Sequence, residues 1–238
     1  MTRSKVAVIT GATSGIGSAI AYAFAASGIR VLLVGRNARK LAAAVRRTPR
    51  RRLAGSALAD LADVAAVEQL VRKIRRRLRR IDVLVHAAGE YSWTEIGSVD
   101  AQAFGRLFDV NVRAPYLLTQ GLLAELERAA GQVIVLNSSV VRSTGEGVAG
   151  FKATQHAVQG FVDSLRPGLN RRGIRVSSLY PGQTATPRMR RIYAKQGRSY
   201  SPKLLMRPQD VAAVALALTE LPGGIEITDL QLRSLTRY

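Results

Sequence analysis

The sequence contains no cysteine, so it can form no disulfide, no thiolate metal site and no cysteine nucleophile. Its two histidines, His86 and His156, are too few for a zinc cluster, and no metal is expected. Aromatic residues make up only 5%, which leaves little for a base-stacking platform. No run approaches the ~18 uninterrupted apolar residues of a membrane span. Met1-Thr2-Arg3-Ser4-Lys5 passes straight into an apolar strand pattern without a secretory core. A cytoplasmic protein with no membrane partner is expected. Acidic residues are also scarce, 16 against 36 basic ones, for a net charge of +20. Such an excess raises nucleic acid as a partner, but 30 of the basic residues are Arg in an Ala-crowded chain, a bias that GC-rich coding alone produces. The densest runs, Arg46 to Arg52 and Arg72 to Arg80, include Ile74 and Leu78 four residues apart, so their basic side chains face outward as solvated helix surface. With no nucleic-acid motif beside them, nucleic acid is not the expected partner.

What is present is a repeated alternation of strand-length apolar runs and helix-period segments. Val6 to Ile9 precedes Gly15 to Ser27, Val31 to Val34 precedes Asn37 to Arg47, and Gly55 to Leu58 precedes Val64 to Arg80. Val83 to Val85 follows, then a long helical stretch from about Asp100 to Ala129, Val133 to Leu136, a second long helix from about Gly150 to Arg172, and Ile174 to Leu179. A polar, basic stretch runs to about Arg207, a helix opens at Pro208, and Ile225 to Leu232 reads as a last strand. Near-continuous Val/Ile/Leu strands suit a parallel sheet buried on both faces. The expectation is an α/β chain, residues 1–238 forming one doubly wound parallel sheet of the Rossmann type, about seven strands with helices on both faces.

Thr10-Gly11-Ala12-Thr13-Ser14-Gly15-Ile16-Gly17 directly follows the first strand and opens a helix. Glycines there permit a tight turn and let backbone N–H groups and the positive helix end approach a pyrophosphate. Further features follow in order: Asp60-Leu61 after the third strand, His86-Ala87-Ala88-Gly89 ending the fourth, Asn111 in the long helix, and Pro181-Gly182 with Thr184 and Thr186 after the sixth. Over essentially its whole length the chain resembles the short-chain dehydrogenase/reductase family. The resemblance implies an oxidoreductase that binds NAD or NADP. Gly11, Thr13, Ser14, Gly15, Ile16 and Gly17 would hold the pyrophosphate. Asp60 and Leu61 would contact the adenine, Ala88 and Gly89, in a segment that stands in place of the family's usual Asn-Asn-Ala-Gly, would also touch the cofactor, and Pro181, Gly182, Thr184 and Thr186 would wrap the nicotinamide. It also implies a homodimer or homotetramer.

The second strand ends Val34-Gly35-Arg36-Asn37. NAD sites place an acid there for the ribose 2′-hydroxyl, and that acid would repel a 2′-phosphate. No Asp or Glu lies between Gly35 and Lys40, whereas Arg36 can fork onto a phosphate, with Asn37 beside it and Ser14 adding a hydroxyl. NADP(H) is the expected cofactor.

The family's active site uses a Ser after the fifth strand, a Tyr thirteen residues on and a Lys four beyond. Counting from Ser138 reaches Phe151 and Gln155, in a segment otherwise similar to the family's Tyr-x-Ala-Ser-Lys-x-Ala-Val-x-Gly-Phe. Phe151 has no proton to give, and Gln155 keeps only reach to a ribose hydroxyl. Ser138 and Asn111 remain as catalytic candidates, with Ser139, Tyr91, Tyr180 and His86 as further visitors to the pocket that read first as structural. Three readings result. One is a reductase of a small carbonyl substrate, anionic or aromatic, with a non-standard proton source, the substrate itself being one candidate. Another is an inactive relative that binds NADP(H) as a sensor or as partner subunit of an active paralogue. The last is a basic binding module. The stretch 187–205 would be the substrate lid or else a basic loop, and Pro167-Gly168 should kink or end the second long helix early.

Overall fold

The computed structural model describes residues 4–93, 97–98, 100–143 and 146–235. The residues Met1 to Arg3, on which the leader reading rests, lie outside them. Among the described residues seven strands form one sheet in the order β3-β2-β1-β4-β5-β6-β7, and every pairing is parallel. They are β1 (Val6–Thr10), β2 (Arg30–Gly35), β3 (Leu53–Leu58), β4 (Val83–His86), β5 (Gln132–Leu136), β6 (Arg175–Pro181) and β7 (Asp229–Leu232). β1 and β4 are buried throughout. Their Val, Ile and Leu side chains alternate between two cores, one on each face of the sheet: Val8 and Leu84 go to one, Ala7, Ile9 and Val85 to the other. This is the doubly wound Rossmann architecture that the apolar runs imply.

The helices α1 (Gly15–Ala26), α2 (Ala38–Arg47) and α3 (Val64–Arg77) cross between the first four strands. α3 buries Val67, Leu70 and Ile74 and turns its arginines outward. The stretch from Asp100 is not one helix. α4 (Ala101–Phe108) passes into a π turn over Asp109–Arg113, and α5 (Ala114–Gly121) and α6 (Leu123–Glu127) follow. Pro115 lacks the N–H that would close an α-helical bond to the Asn111 carbonyl, so the chain widens there. α7 (Ala149–Asn170) runs on past Pro167, contrary to the expected early end. Pro167 is exposed, buried Leu169 anchors the last turn, and Arg166 bonds Asp163 at 2.8 Å. The basic stretch after β6 is helical as well, with α8 over Pro187–Lys195, and α9 (Pro208–Glu220) packs on α1.

β1 and β4 meet the glycine turn at close range. A Cβ on Gly11 would stand 2.7 Å from the Ala87 carbonyl oxygen and the Ala88 nitrogen, and one on Gly17 would collide with the Gly11 carbonyl and lie 3.2 Å from the Ala87 methyl. Gly11 also takes a φ of +66°, which favours glycine. Gly17→Ala should cost about 1–3 kcal/mol of stability by overpacking, read as a lower urea midpoint with an unchanged slope.

Candidate functional site

The site lies at the carboxyl ends of β1, β2, β4, β5 and β6, where helices switch from one face of the sheet to the other. Thr10 organises it. Its buried hydroxyl donates to the Val85 carbonyl at 3.2 Å and accepts the N–H groups of Ala87 and Ala88 at 3.1 and 3.2 Å. The glycine turn then crosses above β2, with Ala12 N–H on the Val34 carbonyl at 3.1 Å and the Thr13 side chain against Gly35. Ser14 stands at the N-cap of α1 in extended conformation without using its hydroxyl as a cap. Gly15 takes a φ of +58°, and a Cβ there would stand 3.4 Å from the Thr186 methyl. Ile16 packs on the core below. Free N–H groups at the α1 terminus, an uncommitted Ser14 hydroxyl and a floor without side chains are what a diphosphate requires.

Arg36 leaves the end of β2 with its side chain 61% exposed and pairs with Glu90. Arg106 of α4 holds the same carboxylate at 3.1 Å and reaches Asp60 with its other arm at 3.1 Å. Burial tends to raise the Asp60 carboxyl, but the Ala62 N–H and Arg106 outweigh it and hold Asp60 below the usual range. Asn37 caps α2 by accepting the Lys40 N–H at 2.9 Å. Leu61 is buried in the core. On the other side Gly182 N–H bonds the Leu232 carbonyl, Thr184 Oγ1 donates to the Gly182 carbonyl at 3.0 Å, and Thr186 Oγ1 caps α8 by accepting the Met189 N–H at 3.1 Å. Pro181 ends β6. Arg188, on the first turn of α8, donates to the Gly89 carbonyl and so bridges the cleft. Glu90, Arg106 and Arg188 are site residues the sequence reading missed. An acid directly after His86-Ala87-Ala88-Gly89 in so basic a chain was the available signal.

Asn111 sits on the π turn, 5% exposed. Its carbonyl oxygen Oδ1 accepts the Glu90 N–H at 2.8 Å, while Nδ2 donates to the Glu90 carbonyl and to Thr154 Oγ1, both at 3.0 Å. Gln155, also 5% exposed, donates to Thr154 Oγ1 at 3.3 Å, and Asn137 donates to its backbone carbonyl at 3.1 Å. Ser138 Oγ accepts the Val140 N–H at 3.2 Å, capping a 3-10 turn over Ser139–Arg142. Its own hydroxyl proton has no acceptor among the described residues. Ser139 Oγ lies 3.7 Å from the point a Gly182 Cβ would occupy. The Phe151 ring meets Tyr91 edge-on at 5.0 Å. Tyr180 is buried in β6, and burial together with Asp229 pushes its phenol up to about 12.

The family model described as short chain dehydrogenase matches residues 5–197. The chain belongs to the short-chain dehydrogenase family. An uncharacterized oxidoreductase of Staphylococcus saprophyticus is 27% identical to it over 234 residues, 97% of each chain. Among solved structures, an alcohol dehydrogenase from the archaeon Thermococcus sibiricus, complexed with 5-hydroxy-NADP, superposes with a TM-score of 0.87 at 25% identity, over 99% of each chain. A metagenomic short-chain oxidoreductase in complex with NADP gives 0.81 at 26% identity, over 97% of each. Among the described residues of this short-chain dehydrogenase no helix is long and apolar enough to cross a membrane.

His86, at the end of β4, is 2% exposed. Its Nε2 lies 2.9 Å from Thr119 Oγ1, and Nδ1 has no partner among the described residues. Burial holds the imidazole down at about 3. Below the ordinary value of 6.5 the unfolded chain therefore takes up a proton that the folded chain refuses. The stabilisation is complete above that pH and is lost as pH falls toward the folded value, by up to about 1.4 kcal/mol per pH unit. Urea midpoints should decline between about pH 6.5 and 5, ahead of the carboxylates, and His86→Asn should flatten that window.

Proposed function

We propose that this protein is an NADP(H)-dependent reductase of a small carbonyl substrate, working without the Tyr and Lys that its family uses. The observation that carries the reading is the combination of an intact dinucleotide cradle with a Ser138 hydroxyl whose proton is uncommitted. When bound, the reduced nicotinamide supplies a hydride. The chain's part is to hold the carbonyl where charge develops on its oxygen, and the free Ser138 O–H can donate there. Phe151 offers no proton and Gln155 no charge, so the acid must come from elsewhere in the pocket or from the substrate itself. Arg36 is the phosphate-facing residue of the reading, drawn off Glu90 by the stronger anion. The NADP complexes of the two similar structures support that choice.

Turnover-free binding as a sensor or partner subunit is the second reading, favoured by one observation: Gln155 is buried, carries no charge and donates its amide N–H to Thr154. A cytoplasmic homodimer or homotetramer belongs to the proposal too. Exposed Tyr116 on α5, edge-on to Phe161 of α7 at 6.4 Å, gives it an aromatic surface on two neighbouring helices.

NADPH should bind at least tenfold more tightly than NADH, about 1.4 kcal/mol, in a calorimetric titration, and Arg36→Asp should reverse the order. Equal affinities would refute the cofactor assignment. The double variant Phe151→Tyr with Gln155→Lys restores an acid and the cation that tunes it, so it should gain NADPH-dependent ketone reduction by at least 10²-fold over the parent. A folded double variant that binds NADPH and reduces no ketone in a broad panel favours the second reading.

A further inference from the structure

Three hydrogen bonds converge on Asn111 and fix two aromatic rings against each other. The Asn111 side chain clamps Glu90 on both backbone groups, N–H at 2.8 Å and carbonyl at 3.0 Å, and Tyr91 is the next residue. The same Nδ2 donates to Thr154 Oγ1, which in turn donates to the Phe151 carbonyl at 2.7 Å. One buried amide therefore positions both the segment carrying Tyr91 and the helical turn carrying Phe151. The rings meet edge-on, centroids 5.0 Å apart with planes at 63°. Among the described residues the Tyr91 hydroxyl makes no hydrogen bond. The half-buried Tyr91 thus packs its ring against Phe151 and leaves its O–H accessible and free to donate.

We propose that Tyr91 is the proton donor of this active site, delivering from the β4–α4 loop what Phe151 cannot deliver from α7. The inference rests on the reductase reading above. In the step assigned to it, the carbonyl carbon accepts a hydride from a reduced nicotinamide, the carbon–oxygen π bond breaks, and the resulting alkoxide takes the Tyr91 phenol proton to give the alcohol. The phenolate recovers a proton from water. The Tyr91 phenol, which burial raises above its ordinary value, is protonated at neutral pH and remains far more acidic than the alcohol it would form, so the alkoxide can take its proton. The neighbouring phenyl ring of Phe151 and the ring of Tyr91 make an aromatic wall, which suits an aryl ketone.

Tyr91→Phe removes the hydroxyl and keeps the ring, so packing against Phe151 is preserved. The probe is acetophenone labelled with carbon-13 at its carbonyl, bound in the presence of NADP+ and followed by infrared difference spectroscopy. Wild type should lower the carbonyl stretch through the phenol and Ser138 hydrogen bonds together, and Tyr91→Phe should return it part of the way toward the value in an apolar solvent. With NADPH, Tyr91→Phe should lower kcat on the same ketone at least ~100-fold with the KM for NADPH unchanged. Identical infrared spectra for the two proteins, or a kcat retained within about threefold, overturn the proposal. A shifted stretch in a wild type that turns over no ketone upholds the Tyr91 contact and defeats the reductase reading, so the two failures are told apart.

Discussion

The Thr10 hydroxyl is the joint on which the site depends. It is buried, and it uses its proton on the Val85 carbonyl while accepting two N–H groups from the turn that leaves β4. Those two strands lie side by side where the crossovers reverse direction, so a gap between their ends is unavoidable in this topology. Thr10 draws the rims of the gap together on one side, and the missing side chains of Gly11 and Gly17 let the glycine turn settle on the other. Ser14, Gly15, Gly89 and Glu90 take their positions from that joint.

Parallel strands were legible because a strand buried on both faces must be apolar throughout, and β1, β2, β4 and β5 have that pattern. The glycine turn was legible because close backbone approach demands particular residues at particular spacings. Other features left no such trace. β3 begins at Leu53 rather than Gly55, since its pairing with β2 is a matter of backbone register. The helix α8 was obscured by its charge, as Pro187 to Lys195 buries only Tyr193 and has almost no apolar period. The break after Phe108 needed the backbone, because a π turn changes the hydrogen-bond partner and not the residue types. Pro167 misled in the opposite direction: a proline near the exposed end of a helix sacrifices a bond that water replaces.

Within the cleft, polarity is concentrated in one small network of Asn111, Thr154, Gln155 and Asn137. All four side chains are neutral, and all are 5% exposed or less. Neutrality suits that depth, since an unpaired ammonium at the position of Gln155 would lose its hydration with no anion on hand. Phe151 and Gln155 are thus consistent with each other: with no phenol at 151 to be tuned, a cation at 155 would stand uncompensated. The same network fixes the backbone on both sides of the pocket, a scaffolding role that needs no titrating group.

The Glu90 carboxylate already occupies the guanidinium of Arg36 and one edge of Arg106. An anion arriving at Arg36 therefore exchanges one ion pair for another instead of displacing loosely held salt. Ordinary surface cations bind phosphate with an affinity that falls steeply as salt is added, because the gain lies in releasing counterions. Here the counterion is tethered to the chain and stays nearby after it is displaced. Its concentration at Arg36 is set by the fold and not by the medium, which makes the site's preference among anions a property of the β4–α4 loop and comparatively insensitive to the ionic strength around it.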